Sequence, residues 1–289
     1  MIIRNKFIDA FKYLKNQKYK EMAVEDYSAL PGLIFNNIES IFVLSTGRCG
    51  TELLERLFKL IPGNYIYHEP KPELVYSSKL AHQLGSNGIE ARKLGFLSAR
   101  YEILKKAYLH QKRYIETNHH LTFYADAISE ILPKAKFIHL VRHPASFVRS
   151  GIRRNYYIHH DYDDGRIIPV PEYKISSDWE SFSQLKKISW LWNETNQHIE
   201  DFKTTIPSSR ILTMKSEKLF EYVDGFEQIL TFLNMNAVSP GKISRLISRP
   251  RNIQYKGSFP RFSAWSEKQK SELRDTTILA AHYNYNLNE

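Results

Sequence analysis

Between Ser45 and Thr51 the chain reads Ser45-Thr46-Gly47-Arg48-Cys49-Gly50-Thr51, and the residue types there suit an anion. Gly47 and Gly50 let backbone amides approach a ligand closely, Arg48 brings a fixed positive charge, and Thr51 adds a hydroxyl where a helix begins. This is not the ATP- and GTP-binding loop, which needs Lys and then Ser or Thr after its second Gly; here Thr51-Glu52 follows Gly50. A second set lies far downstream, where Arg142-His143-Pro144 is followed by Ser150, eight positions after Arg142. Arg142 and Ser150 could hold one phosphate between them, although Arg149, Arg153 and Arg154 nearby equally suit a solvated basic helix.

These groups need a scaffold, and the apolar pattern predicts one. Residues 41–44 read as a strand buried on both faces, and the glycine loop joins it to a helix with Leu53, Leu54, Leu57 and Phe58 on its buried stripe. Residues 64–67 form a short strand that delivers His68-Glu69-Pro70 to the carboxyl edge of the sheet, where open α/β folds place ligands. On its own, Glu69 would as readily form an ion pair with Arg48 or Lys71, and His68 would be an edge residue with its bonds satisfied. Residues 77–112 are predicted helical, with Leu97, Ile103, Leu104 and Ala107 inward and Gly85, Gly88 and Gly95 in loops over a cleft. A strand at 114–117 leads to His119 and His120, adjacent residues expected to point apart, to line the cleft and to share no metal. A helix at 121–132 and a strand at 136–141 follow, and Pro144 suits the first position of the next helix. The aromatic, Pro- and Asp-rich stretch 156–178 is either a lid or a surface excursion. Its His159, His160, Asp161, Asp163 and Asp164 match no calcium-loop pattern. A helix at 179–202, a strand at 210–215 and a helix at 226–233 complete the series, and Trp265 opens a final helix as a core residue. The fold class is therefore α/β, with a central parallel sheet flanked by helices.

Together, the two anion-binding stretches resemble the sulfotransferases that use 3'-phosphoadenosine 5'-phosphosulfate (PAPS). In that family an S/T-x-G-R/K-S-G-T loop holds the 5'-phosphosulfate and R-D-P-x-x-x-x-x-S holds the 3'-phosphate; here Cys49 replaces the usual Ser and His143 the usual Asp. The resemblance implies a P-loop nucleotide-binding, three-layer fold. Thr46, Gly47, Arg48, Cys49, Gly50, Thr51 and Glu52 would surround the phosphosulfate, Arg142 and Ser150 would bind the 3'-phosphate, and Lys256 and Gly257 are similar to the basic loop that closes over it. It further implies Glu69 as the base, with His68 the alternative, and Arg48 stabilising charge on the transferring group. The Arg-containing loop and the Glu69-Pro70 pair look like the carbohydrate enzymes, so the implied acceptor is a hydroxyl of a glycan or glycolipid, with no metal. Cys49, at a helix start, is expected to be a low-pKa, reactive thiol.

Composition sets the outer bounds. The 289 residues are expected to form one domain at 41–289 with an acceptor-side loop at 155–178, preceded by a basic amphipathic extension at 1–40; 42% hydrophobic content supports a core. The charge is 41 − 31 = +10, which points to anionic partners. The single cysteine excludes an internal disulfide and a cysteine zinc cluster, and no apolar run is long enough to span a bilayer, so a cytoplasmic protein is expected. Residues 1–20 would pack on the domain or rest on an anionic membrane surface. Two other readings are an ATP-dependent P-loop kinase and a basic nucleic-acid-binding protein; no helix-turn-helix, RNP or zinc pattern supports the second.

Overall fold

The computed structural model describes residues 22–172, 175–249 and 257–288. The basic segment 1–20 and Lys256 lie outside them.

Five parallel strands form the sheet, β1 (Ser40–Ser45), β2 (Asn64–Tyr67), β3 (Arg113–Glu116), β4 (Lys136–Val141) and β5 (Ile211–Lys215), in the order β2-β3-β1-β4-β5. All six residues of β1 are buried, as a central strand covered on both faces requires. Its alternation divides the core. Phe42 and Leu44 enter the layer built by α4 (Ile89–Leu109), α6 (Pro144–Ile152) and α7 (Gln184–Lys203). Ile41 and Val43 enter the opposite layer, built by α2 (Thr51–Phe58), α9 (Val223–Phe232) and α10 (Pro240–Ile247). Phe42 is fully buried among the rings of Phe96, Tyr114 and Phe137, and burial of such a side chain contributes about 1.5–3 kcal/mol. The strand that launches the glycine loop is therefore fixed from both sides. No helix among the described residues is long and apolar enough to cross a membrane.

Further helices are α1 (Leu30–Asn37), α3 (Val75–Leu84), α5 (Ala125–Ile131), α8 (Ser216–Glu221) and α11 (Glu267–Thr276), besides a single helical turn at Ile175–Asp178 and several 3-10 turns. Three expectations change. Gly95 lies inside α4 rather than in a loop, where a β-carbon would meet the Tyr124 ring at an ordinary 3.5 Å, so a single glycine is tolerated within this long helix. On the same helix Leu97 and Ile103 are only partly buried, while Arg92, Phe96 and Arg100 point inward. Helix α7 starts at Gln184, after Ser183 accepts a hydrogen bond from the Lys186 amide at 3.0 Å, and Trp179 sits in a separate short turn.

Candidate active site

The order of strands puts β1 between β3 and β4, so the chain reverses direction across the sheet at the carboxyl end of β1. The glycine loop occupies that switch point. Gly47 and Gly50 have φ of 77° and 97°, and Arg48 between them also has positive φ at 57°. Neighbouring rings explain both glycines. A β-carbon at Gly47 would lie 2.9 Å from His119, and one at Gly50 would lie 2.5 Å from Phe220. Side chains from three other elements pin the loop. Thr122 exchanges hydrogen bonds with the Ser45 backbone at 3.1 and 3.0 Å, Ser216 donates to the Cys49 carbonyl at 2.7 Å, and Arg142 Nη1 donates to the Arg48 carbonyl at 2.6 Å.

The two predicted anion-binding stretches thus meet. Arg48 Nε also points at Ser150 Oγ at 3.4 Å. The Arg142 guanidinium lies 5.6 Å from the centre of the Phe220 ring, and its Nε is buried with no partner among the described residues. Burial pushes the Arg142 pKa down. Where the family motif has Asp, His143 accepts a hydrogen bond from the Ala145 amide at 3.2 Å, so it caps α6, and its own amide donates to Glu217 at 3.0 Å. Cys49 departs from expectation. It is fully buried, its thiol lies 3.2 Å from Thr46 Oγ1 and 3.1 Å from the Gly47 carbonyl, and burial pushes its pKa up rather than down.

A cavity of about 710 Å³ runs from the loop toward β2 and β3. Thr46, Arg48, Gly50, Thr51, Glu52 and Arg142 line it, as do His68 and Glu69; Gly47, Cys49 and Ser150 do not. Gly257 is elsewhere, its carbonyl accepting from Arg153 Nε at 3.1 Å beside a smaller basic cavity that includes Arg149. Trp265 is buried between Phe259 and Phe262, a core residue.

At the far end Glu69 pairs with neither Arg48 nor Lys71. Its Oε1 lies 3.1 Å from His119 Nδ1 and 4.0 Å from His68 Nε2. Burial alone would raise the Glu69 pKa, but the hydrogen bond from His119 and the charges of the histidines outweigh it and bring it down to about 2. The adjacent histidines do not point apart. In the short turn His119–Tyr124 their rings lie 3.9 Å from each other, and burial drives the His120 pKa down to about 2, leaving it neutral. His68 Nδ1, 2.8 Å from the Thr117 carbonyl, must carry the proton, which leaves Nε2 as an acceptor.

Sequence reasoning missed the group beneath this cluster. Arg100 and Glu116, both side chains fully buried, pair at 2.8 Å, and Tyr114 also bonds Glu116. Glu116 Oε1 accepts from Asn118 Nδ2 at 3.0 Å, and Asn118 Oδ1 accepts from the His120 amide at 3.0 Å, capping the histidine turn. Arg100 Nη1 donates to the Pro72 carbonyl at 2.9 Å and Asn118 Nδ2 to the Glu73 carbonyl at 3.3 Å. One buried pair therefore holds both the turn after Glu69 and the turn bearing His119. No motif announces it; the only sequence signal is the spacing of Arg92, Phe96 and Arg100 on one face of α4.

The 156–167 stretch folds over the same end. Asp163 accepts from the Tyr157 and His160 amides, each at 2.9 Å, and from Arg166 Nε at 3.0 Å, so its carboxylate serves the turn instead of a cation. The Arg166 guanidinium stacks 3.5 Å above Tyr156, and both line the cavity with Arg154 and Tyr162.

The sulfotransferase family model matches residues 40–238. Among solved structures, the sulfotransferase domain of the curacin biosynthetic pathway superposes with a TM-score of 0.51 at 14% identity, covering 87% of this chain and 99% of that one. The sulfotransferase domain of the Synechococcus PCC 7002 olefin synthase gives 0.50 at 21% identity over 87% and 96%, and a sulfotransferase from Alicyclobacillus acidocaldarius 0.51 at 14% over 85% and 96%. These similarities speak to the fold. No curated protein matches the chain.

Proposed function

This chain belongs to the sulfotransferase family, and from that premise we propose that it transfers a sulfuryl group from PAPS to a hydroxyl of a glycan or glycolipid. The observation that carries the donor assignment is the contact of the two anion-binding motifs, Arg142 on the Arg48 carbonyl and Arg48 toward Ser150. The buried Arg142 Nε, without a partner among the described residues, and the two glycines that a β-carbon would block fit an anionic nucleotide. When bound, PAPS supplies the sulfuryl group and a phosphate leaving group. Thr46, Arg48, Gly50, Thr51 and Glu52 surround the phosphosulfate end, with the dipole of α2 behind them. Cys49 and Gly47 shape the loop, and Ser150 orients Arg48. Arg142, with Ser150, serves the 3'-phosphate side, while Gly257 borders the separate basic cavity with Arg149 and Arg153. Leu53, Phe220, Leu246 and Ile247 give the cavity an apolar wall for the base.

Glu69 Oε1 is taken up by His119 Nδ1 at 3.1 Å, which suits the carboxylate to orienting that imidazole and moves the base role to His119. His119 stands between Glu69 and Gly47, so Nδ1–H can donate to Glu69 while Nε2, on the loop side, takes the acceptor's proton. Glu69 fixes that tautomer and stabilises the imidazolium, and His68 lies alongside. Arg48 stabilises the charge that develops during transfer. Tyr162, exposed at the cavity wall, offers a face to a sugar ring, and Arg154 favours an acidic acceptor.

The test is thermal stabilisation followed by transfer of labelled sulfate onto glycan and lipid acceptors. Adenosine 3',5'-bisphosphate is expected to raise Tm well beyond ATP with magnesium. The reverse order would overturn the donor assignment in favour of a kinase.

A further inference from the structure

The pairing of His119 with His120 opens a chemistry that adjacent histidines seldom have. One nitrogen from each ring and one oxygen of Glu69 lie within 4.8 Å of one another, with Glu69 Oε1 to His119 Nδ1 already at 3.1 Å. Ligand atoms around tetrahedral zinc, at bonds of about 2.0–2.1 Å, stand about 3.3 Å apart, so side-chain rotations on the order of 1 Å would close the set. Two imidazoles and one carboxylate suit a borderline ion such as zinc and not magnesium or calcium, which prefer oxygen. Asn118 and the buried Arg100–Glu116 pair hold the histidine turn from below, the outer support that metal sites need. The three ligands also line the cavity, so an ion can reach them and keep a water in its open position.

We propose that Glu69, His119 and His120 bind a zinc ion at the acceptor end of the cavity and that zinc held there silences the enzyme. The silencing, though not the binding, rests on the transferase reading. The mechanism is a change of tautomer. Zinc on His119 Nδ1 takes the nitrogen that otherwise donates to Glu69, the ring proton then resides on Nε2, and no lone pair remains there for the acceptor's hydroxyl proton. The carboxylate is consumed as a ligand by the same event. Inhibition accordingly lowers kcat, and added nucleotide does not relieve it.

The experiment is calorimetric titration of tag-free protein with zinc chloride, for wild type, His120→Gln and Glu69→Gln, beside thermal shift with adenosine 3',5'-bisphosphate. The expected result is one zinc per chain in wild type, at least about tenfold weaker in each variant. Bisphosphate should still raise the Tm of all three, which shows that they are folded. Zinc inhibition, taken as a ratio to each protein's own zinc-free rate, should need at least about tenfold more zinc in His120→Gln. Absence of zinc binding to wild type, or equal binding by a folded variant, overturns the site. If His120→Gln fails to fold, Glu69→Gln alone decides. Zinc binding without any bisphosphate response would sink the transferase reading and leave the site standing; the converse would sink the site alone.

Discussion

Removing the guanidinium of Arg100 should damage the enzyme twice, by separable amounts. Arg100 and Glu116 are fully buried and share their hydrogen bonds, so Arg100→Met leaves an uncompensated carboxylate in the core. Breaking such a pair from one side costs about 3–5 kcal/mol, at roughly 2 °C in Tm per kcal/mol for a chain this large, or about 6–10 °C. Replacing both partners with apolar residues, Arg100→Met with Glu116→Leu, should recover most of that loss, because two desolvated charges are removed together. Activity should not recover with it. The double variant still lacks the bonds to the Pro72 carbonyl and to Asn118, which place Glu69 and His119. A shift of about 1 Å in a reacting group can cost roughly 100-fold in rate. The assay is urea unfolding and bisphosphate-induced thermal shift for stability and nucleotide binding, with kcat measured on the same preparations. A double variant that is stable, binds nucleotide and turns over at the wild-type rate would refute the positioning role.

Gly50→Ala puts a methyl 2.5 Å from Phe220 at a φ of 97°; a left-handed residue costs about 1–2 kcal/mol before the ring moves, so bisphosphate affinity should fall at least about tenfold, and unchanged affinity would contradict the packing. Cys49, buried and raised in pKa, should resist maleimide in the native protein and react readily in denaturant; rapid native labelling would refute that environment. Burial depresses His139, on β4 against Asn196, to about 3, and His198 to about 4. Their stabilisation is complete above the unfolded pKa of about 6.5 and is lost as pH falls below it, at about 1.4 kcal/mol per pH unit for each. A urea midpoint that stays flat between about pH 6.5 and 5 would refute it.

What the sequence made legible shares one property, that its signal is local. Strands at 41–44 and 136–141 show because parallel strands covered on both faces are largely continuous apolar runs, the partly buried edge strand at 64–67 shows because Tyr65-Ile66-Tyr67 follow the Pro62-Gly63 break, and the loop shows because phosphate binding needs glycines and a cation within a few residues. Cys49 was misjudged by local logic. A helix start lowers a thiol's pKa only where solvent reaches it, and the surrounding core removes that access. Arg100 was illegible because a charged residue in a polar helix looks solvated until its partner is known.

The proposed base needed more than local logic. His119 and Glu69 are fifty residues apart, and their meeting depends on β2 lying beside β3 with Tyr67 opposite Glu116. That register brings the chain past Tyr67 and the chain past Glu116 out at the same point on the sheet edge, two residues before Glu69 and three before His119. Periodicity identifies each strand but not its neighbour. It could therefore nominate Glu69 and His119 separately as edge residues, and only the strand order makes them partners.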